Sequence, residues 1–187
     1  MANIFKRSYN VNLPKSRSEA EEFGPGKKGL VMCQNCDSTY FKKSWHHDLE
    51  NVEVSEKKDV PIRFVLCPAC QMIKNKQYEG RIVIKNVPEK SMVKLEELIN
   101  GFCRRAYERD PMDRLIEIKK TRSAGSRLRQ GFGGQAGQVF SEWIVTTTEN
   151  QLANKLAQKI KSSFSGVKTK TKFNKEPSDV VGVVVDF

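Results

Sequence analysis

"GRIVIKNVPEKSMVKLEELINGFCRRAYERD", residues 80–110, changes its hydrophobic period partway along, and that change decides how the chain folds. Residues 80–86 are rich in β-branched side chains and predict a strand. After Pro88 the apolar positions switch to three-and-four spacing, with Met92, Leu95, Ile99, Phe102 and Ala106 on one stripe, as a helix with one buried face requires. Asn86 and Glu89 are placed to form a capping pair, with Pro88 in the first turn where a missing N–H costs nothing.

Reading on from that switch, "DRLIEIKKT" (113–121) predicts a second strand, with Ile116 and Ile118 on one face and Leu115, Glu117 and Lys119 on the other. "EWIVTTT" (142–148) predicts a third. Thr148 to Gln151 fit a capping box opening a second helix, whose Leu152, Ala153, Leu156, Ala157, Ile160 and Phe164 line one side. Gly166 stands where a C-terminal cap belongs. "VKTKTKF" (167–173) and "VVGVVVDF" (180–187) predict a closing hairpin joined by "NKEPSD"; its first strand sets Lys168, Lys170 and Lys172 in a row on one face. The valine run needs its edge covered, by "VKTKTKF" or by another molecule. The order strand, helix, strand, strand, helix, strand, with one strand more, reads as an α+β fold. It is a ferredoxin-like, two-helix, mostly antiparallel sheet domain over 79–187 with an extra C-terminal strand.

Upstream, "CQNC" (Cys33, Cys36) and "CPAC" (Cys67, Cys70) are separated by 30 residues. Each pair offers two thiolates from one tight turn, and two such turns complete the tetrahedral shell zinc demands. Residues 31–78 therefore read as a zinc ribbon with a structural Zn2+, since four protein ligands leave no open position for a substrate. Two disulfides are the alternative, but nothing in the sequence argues for an oxidising compartment. Between the pairs lies an aromatic and basic cluster. His46 or His47 could substitute for a cysteine; Lys42, Lys43 and Trp45 could stack on and neutralise RNA, or the aromatics could pack the ribbon's small core. Cys103 lies beside the helix stripe and reads as core. Residues 1–30, with mixed charge, few apolar positions and "FGPGKKG", read as a flexible arm.

The chain has 187 residues, with 33 Lys plus Arg against 22 Asp plus Glu, a net charge of +11. Between Asn150 and Lys175 stand seven lysines and no carboxylate, so Lys155, Lys159, Lys161, Lys168, Lys170 and Lys172 become candidate phosphate contacts. No apolar run is long enough for a membrane helix, and the N-terminus lacks an apolar signal core, so a cytoplasmic protein is expected.

The four cysteines, followed by "GRIVIKN", "DRLIEIKK", "WIVTTT" and "VTTTENQLANKLA", resemble short prokaryotic proteins related to the N-terminal zinc-binding part of the nonsense-mediated-decay-type large ribosomal subunit export adaptor family. The resemblance runs from about Cys33 to Phe187 and implies binding to the large ribosomal subunit or its rRNA. Export is not implied, because the long members' C-terminal domains have no counterpart in the sequence. The resemblance also predicts a brief turn between the second and third strands, where this chain has a glycine-rich insertion at about 122–140 containing "QGFGGQAG".

The expectation is a non-enzymatic, zinc-stabilised ribosome or rRNA-binding protein, acting in ribosome assembly or quality control, with no small-molecule substrate. One alternative is a translation-rescue hydrolase that uses Gly133, Gly134 and Gln135 as a release-factor-like loop. Against it, the insertion reads first as flexible backbone, and "GFGGQAG" has neither a P-loop lysine nor the strand and helix context of a dinucleotide site. Another is a zinc-ribbon transcription or protein adaptor.

Overall fold

A computed structural model describes residues 30–41, 43–47, 61–122, 141–173 and 180–187. Residues 1–29 of the arm expected from the sequence, Lys42, the glycine-rich insertion with Gly133, Gly134 and Gln135, and the "NKEPSD" connection lie outside the described residues, while Leu30, expected to close the arm, is instead the first residue of a strand. So does the side chain of Lys172.

The protein is α+β, with two mixed sheets and three helices among the described residues. The smaller sheet is built from β1 (Leu30–Cys33), β2 (Thr39–Phe41), β3 (Ser44–His46) and β4 (Ile62–Val65), in the order β3-β2-β1-β4, with β1 and β4 parallel. Helix α1 (Pro68–Lys74) follows directly, opened by Pro68, whose fixed φ suits a first turn.

The larger sheet joins β5 (Gly80–Val87), β6 (Leu115–Arg122), β7 (Ser141–Thr147), β8 (Lys168–Phe173) and β9 (Val181–Asp186), in the order β6-β7-β5-β9-β8. Helices α2 (Glu89–Arg109) and α3 (Asn150–Ser163) cover one face. Leu95, Ile99, Cys103 and Ala106 of α2 and Leu152, Leu156 and Ile160 of α3 meet Ile82, Ile84, Trp143, Val145, Val183 and Val185 in a single buried core. Met92 and Phe102, at the borders of the α2 stripe, are partly buried against it.

The strand order departs from the ferredoxin-like arrangement in one place. That arrangement sets the strand after the second helix beside the first strand; here β9 takes the position, parallel to β5, and β8 is displaced to the edge. The valine run accounts for this. Val181, Val183 and Val185 face the core, and Val184 lies half-buried on the opposite face, so the strand is apolar on both sides and suits an interior position. "KTKTK" carries charge on one side and suits an edge.

Three local expectations are corrected. Ile116 is the extra residue of a bulge between the pairs Leu115 with Thr147 and Glu117 with Thr146, so Leu115, and not Ile116, shares the core-facing side with Ile118. The Asn86 and Glu89 capping pair does not form. Asn86 sits at a register shift with φ 55°, and its Nδ2 donates to Asp186 Oδ1 at 2.7 Å. Thr148 does not cap α3 either: its hydroxyl donates to the Met112 carbonyl and accepts from the Arg114 N–H at 2.9 Å, tying the start of β6 to β7. Gly166 does adopt the left-handed conformation, φ 83°, after α3.

Gly80 has a steric role. A Cβ there would lie 2.5 Å from Ala153 Cβ, 2.9 Å from the Glu149 carbonyl oxygen and closer still to Thr147 Oγ1. Only a residue without a side chain lets β5 begin beneath the first turn of α3.

Candidate metal centre and basic surfaces

Cys33 ends β1, Cys36 stands on the turn after it, Cys67 is the N-cap of α1 and Cys70 lies within its first turn. Pairing of Cys33 with Val65 brings the two halves together. In the first turn Asp37 takes φ 59°, its N–H donating to the Cys33 carbonyl at 3.0 Å. In the second, the Cys70 N–H donates to Cys67 Sγ at 3.4 Å. The four sulfurs lie within 4.8 Å of one another, and no disulfide joins them.

The arrangement fits a metal ion held by thiolates. Cys36 and Cys67 Sγ are 3.7 Å apart, close to the ~3.8 Å edge of a tetrahedron with 2.3 Å metal–sulfur bonds. Three further donors point at sulfur: the Cys67 N–H to Cys33 at 3.3 Å, Asn35 Nδ2 to Cys70 at 3.3 Å and Arg114 Nη1 to Cys70 at 3.4 Å. Electrostatics give the same answer. Burial raises the Cys36 thiol, but hydrogen bonds from Ser38, Cys33 and Arg114 outweigh it and bring the thiol down to about 6. Burial, with the charge of neighbouring thiolates, pushes Cys67 upward, and burial also raises Cys70 despite Asn35 and Arg114. Four thiolates this close, three of them buried, repel one another, and a cation among them would remove that cost.

Trp45 is corrected as a candidate RNA contact. It is 6% exposed and packs in the small core with Val31, Ala69 and the cysteines, its ring 5.4 Å from that of Tyr40, so no face is left for a base. His46 hydrogen-bonds the Phe41 carbonyl at 3.1 Å, and His47 hydrogen-bonds the Tyr107 carbonyl. Neither histidine belongs to the cysteine cluster. Lys43 is exposed at a turn, with φ 65°.

The sequence did not point to Arg114. Its guanidinium reaches from the start of β6 to the cysteine cluster, donates through Nε to the Pro111 carbonyl at 2.8 Å and lies 4.8 Å from the Tyr107 ring centroid. Burial alone would lower its pKa, yet the Cys36, Cys70 and Cys67 thiolates hold it above the ordinary value. With His47 on Tyr107 and Met112 against the small core, it joins the cysteine unit to the larger sheet. An isolated arginine in "DPMDRL" carries no periodic signal that could have identified it.

Cys103 is buried in the large core, where desolvation pushes its thiol up to about 12, so it is packing material and not a nucleophile at neutral pH. Burial, reinforced by neighbouring carboxylates, also raises Asp113 and Glu149.

The lysine block divides between two faces. Lys155, Lys159 and Lys161 are exposed on α3, whose buried side carries Leu152, Leu156 and Ile160. Lys168 and Lys170 are exposed on β8, opposite Asp186 and Val184. Thr169 and Thr171 take the alternate positions beside core-facing Val185 and Val183, so the β8 lysines stand on the side of the sheet away from the helices. No described helix is long and apolar enough to cross a membrane. Comparison with protein-family models, curated proteins and solved structures finds no match.

Proposed function

We propose that the chain is a zinc-stabilised, non-enzymatic protein that binds the large ribosomal subunit through its RNA. Zinc would be held by Cys33, Cys36, Cys67 and Cys70. With four protein thiolates the shell is closed, and the ion supplies folding energy to a unit whose apolar core is small. The observation that carries the RNA reading is the Asn150 to Lys175 block. Lys159, Lys161, Lys168 and Lys170 are exposed, and among the described residues no carboxylate lies within ion-pair distance of them. Cations left unneutralised on a protein of net charge +11 bind polyanions by releasing their counterions, an attraction that weakens steeply as salt rises.

Sedimentation of the tagged protein with purified large subunits tests this. Co-migration at low salt that disappears at high salt is the expected result; protein remaining at the top of the gradient at every salt concentration would overturn the assignment.

A further inference from the structure

Resting on the RNA reading, and going beyond it, we infer that the binding surface is the helix-free face of the larger sheet and that its ligand is double-stranded RNA, gripped by Lys119 and Lys170 at opposite edges.

Strand register sets one row of residues across all five strands. Lys119 pairs with Ile144, Ile144 with Val83, Val83 with Val184, and Val184 with Lys170. The middle of this row is apolar, with Val83 fully buried between half-buried Ile144 and Val184, and both ends are exposed ammonium groups. Five strands span four intervals, so the two lysines stand about 19 Å apart. Lys168 occupies a different electrostatic position: its register partner is Asp186, which also faces Lys85 across β5. A carboxylate directly across a strand pair offsets much of a lysine's attraction for phosphate. Lys170 has valine there and Lys119 has isoleucine, although Glu117 lies two residues before Lys119 on its own strand and Glu142 two residues before Ile144 on the next.

Chemistry on this face selects the form of RNA. Single strands are held by aromatic rings on which bases stack, and the described residues of the face, from Glu117 and Lys119 on β6 to Lys168 and Lys170 on β8, include no aromatic ring. A lysine at each edge, with an apolar row between them, instead matches a ligand that presents two phosphate backbones at once across a shallow groove, as A-form RNA does. The α3 lysines lie on the other side of the sheet and cannot join the same grip.

Fluorescence anisotropy with a labelled RNA duplex of ~20 base pairs, its isolated strand and a DNA duplex of the same sequence tests the assignment across a salt series. Tighter binding of the RNA duplex than of the single strand is expected. K119E with K170E should weaken duplex binding by about tenfold or more and flatten the salt dependence by about one unit of slope per lysine. K168E should cost less than K170E, and K155E with K159E and K161E should leave affinity near that of the wild type. Loss of binding in the α3 triple variant, with K119E and K170E silent, would overturn the face assignment while leaving the RNA reading intact. Preference for the single strand or for DNA would overturn the duplex assignment, and failure of the wild type to bind any RNA would overturn both this inference and the reading beneath it.

Discussion

The two sheets of this protein are stabilised by different means. Around the larger sheet, two amphipathic helices lay aliphatic side chains on three central strands, and the resulting core is apolar throughout. Around the smaller one, three of the six buried core residues are cysteines, and the rest are Val31, Trp45 and Ala69. Burial at about 25 cal/mol per Å2 stabilises the first directly, whereas the second buries too little apolar surface to hold four ionisable thiols together. The comparison teaches that the two units need different stabilisation: the larger has an apolar core of its own, while the smaller brings together four cysteines that could hold a metal ion, which would make up for its few hydrophobic contacts. The two tryptophans report on the halves separately, since Trp45 lies in the cysteine unit and Trp143 in the large core.

Metal removal should give the largest contrast. Structural zinc in small peptides contributes about 10–16 kcal/mol of apparent binding free energy, and under the proposed assignment that would be folding free energy of the cysteine unit. Chelation, or Cys67→Ser, should therefore unfold that unit while the α+β core persists. In single-tryptophan variants, the emission of Trp45 should shift to that of a solvated ring and the emission of Trp143 should stay as it was. Simultaneous loss of both signals would show that the halves fold as one.

Gly80→Ala probes the other side. A Cβ would strike Ala153, Thr147 and the Glu149 backbone, and forcing strand and helix apart should cost about 1–3 kcal/mol or more. The expected outcome is a lower denaturant midpoint for Trp143 with metal content unchanged. A midpoint equal to that of the wild type would mean that α3 can shift away at no cost.

Arg114→Met, the smallest effect, tests the link between the halves. It removes the hydrogen bond to Cys70 and the cation facing the thiolates; with a metal ion balancing the thiolate charge, the net loss should be about 0.5–1.5 kcal/mol. Tetrahedral thiolate coordination should survive, as read from cobalt substitution spectra, while amide exchange quickens around Tyr107, Met112 and His47. Unchanged exchange there would assign the junction to Met112 and the His47 contact alone.

Much of this fold was legible because its signals are local. The switch of period at Pro88, the stripe of α3 and the two cysteine pairs each depend on residues within a few positions of one another. Ile116 was misread because a bulge shifts the alternation by one residue, and strict alternation cannot announce where an extra residue falls. Asn86 and Thr148 have the composition of caps, but nearer partners across the sheet claimed their side chains. Trp45 had two readings in sequence, and only burial chose between them.

The sequence by itself determined the strands and helices of the larger unit, the grouping of the four cysteines and the excess of positive charge, because period, cysteine spacing and charge are properties of neighbours along the chain. Tertiary structure decided what depends on distant partners. It placed β9 inside the sheet and β8 at its edge, brought Arg114 to a sulfur 44 positions earlier in the chain, and divided one run of lysines between two opposite faces. The physical reason is that alternation tells which residues share a side of a strand, while only pairing and packing tell which side faces the core.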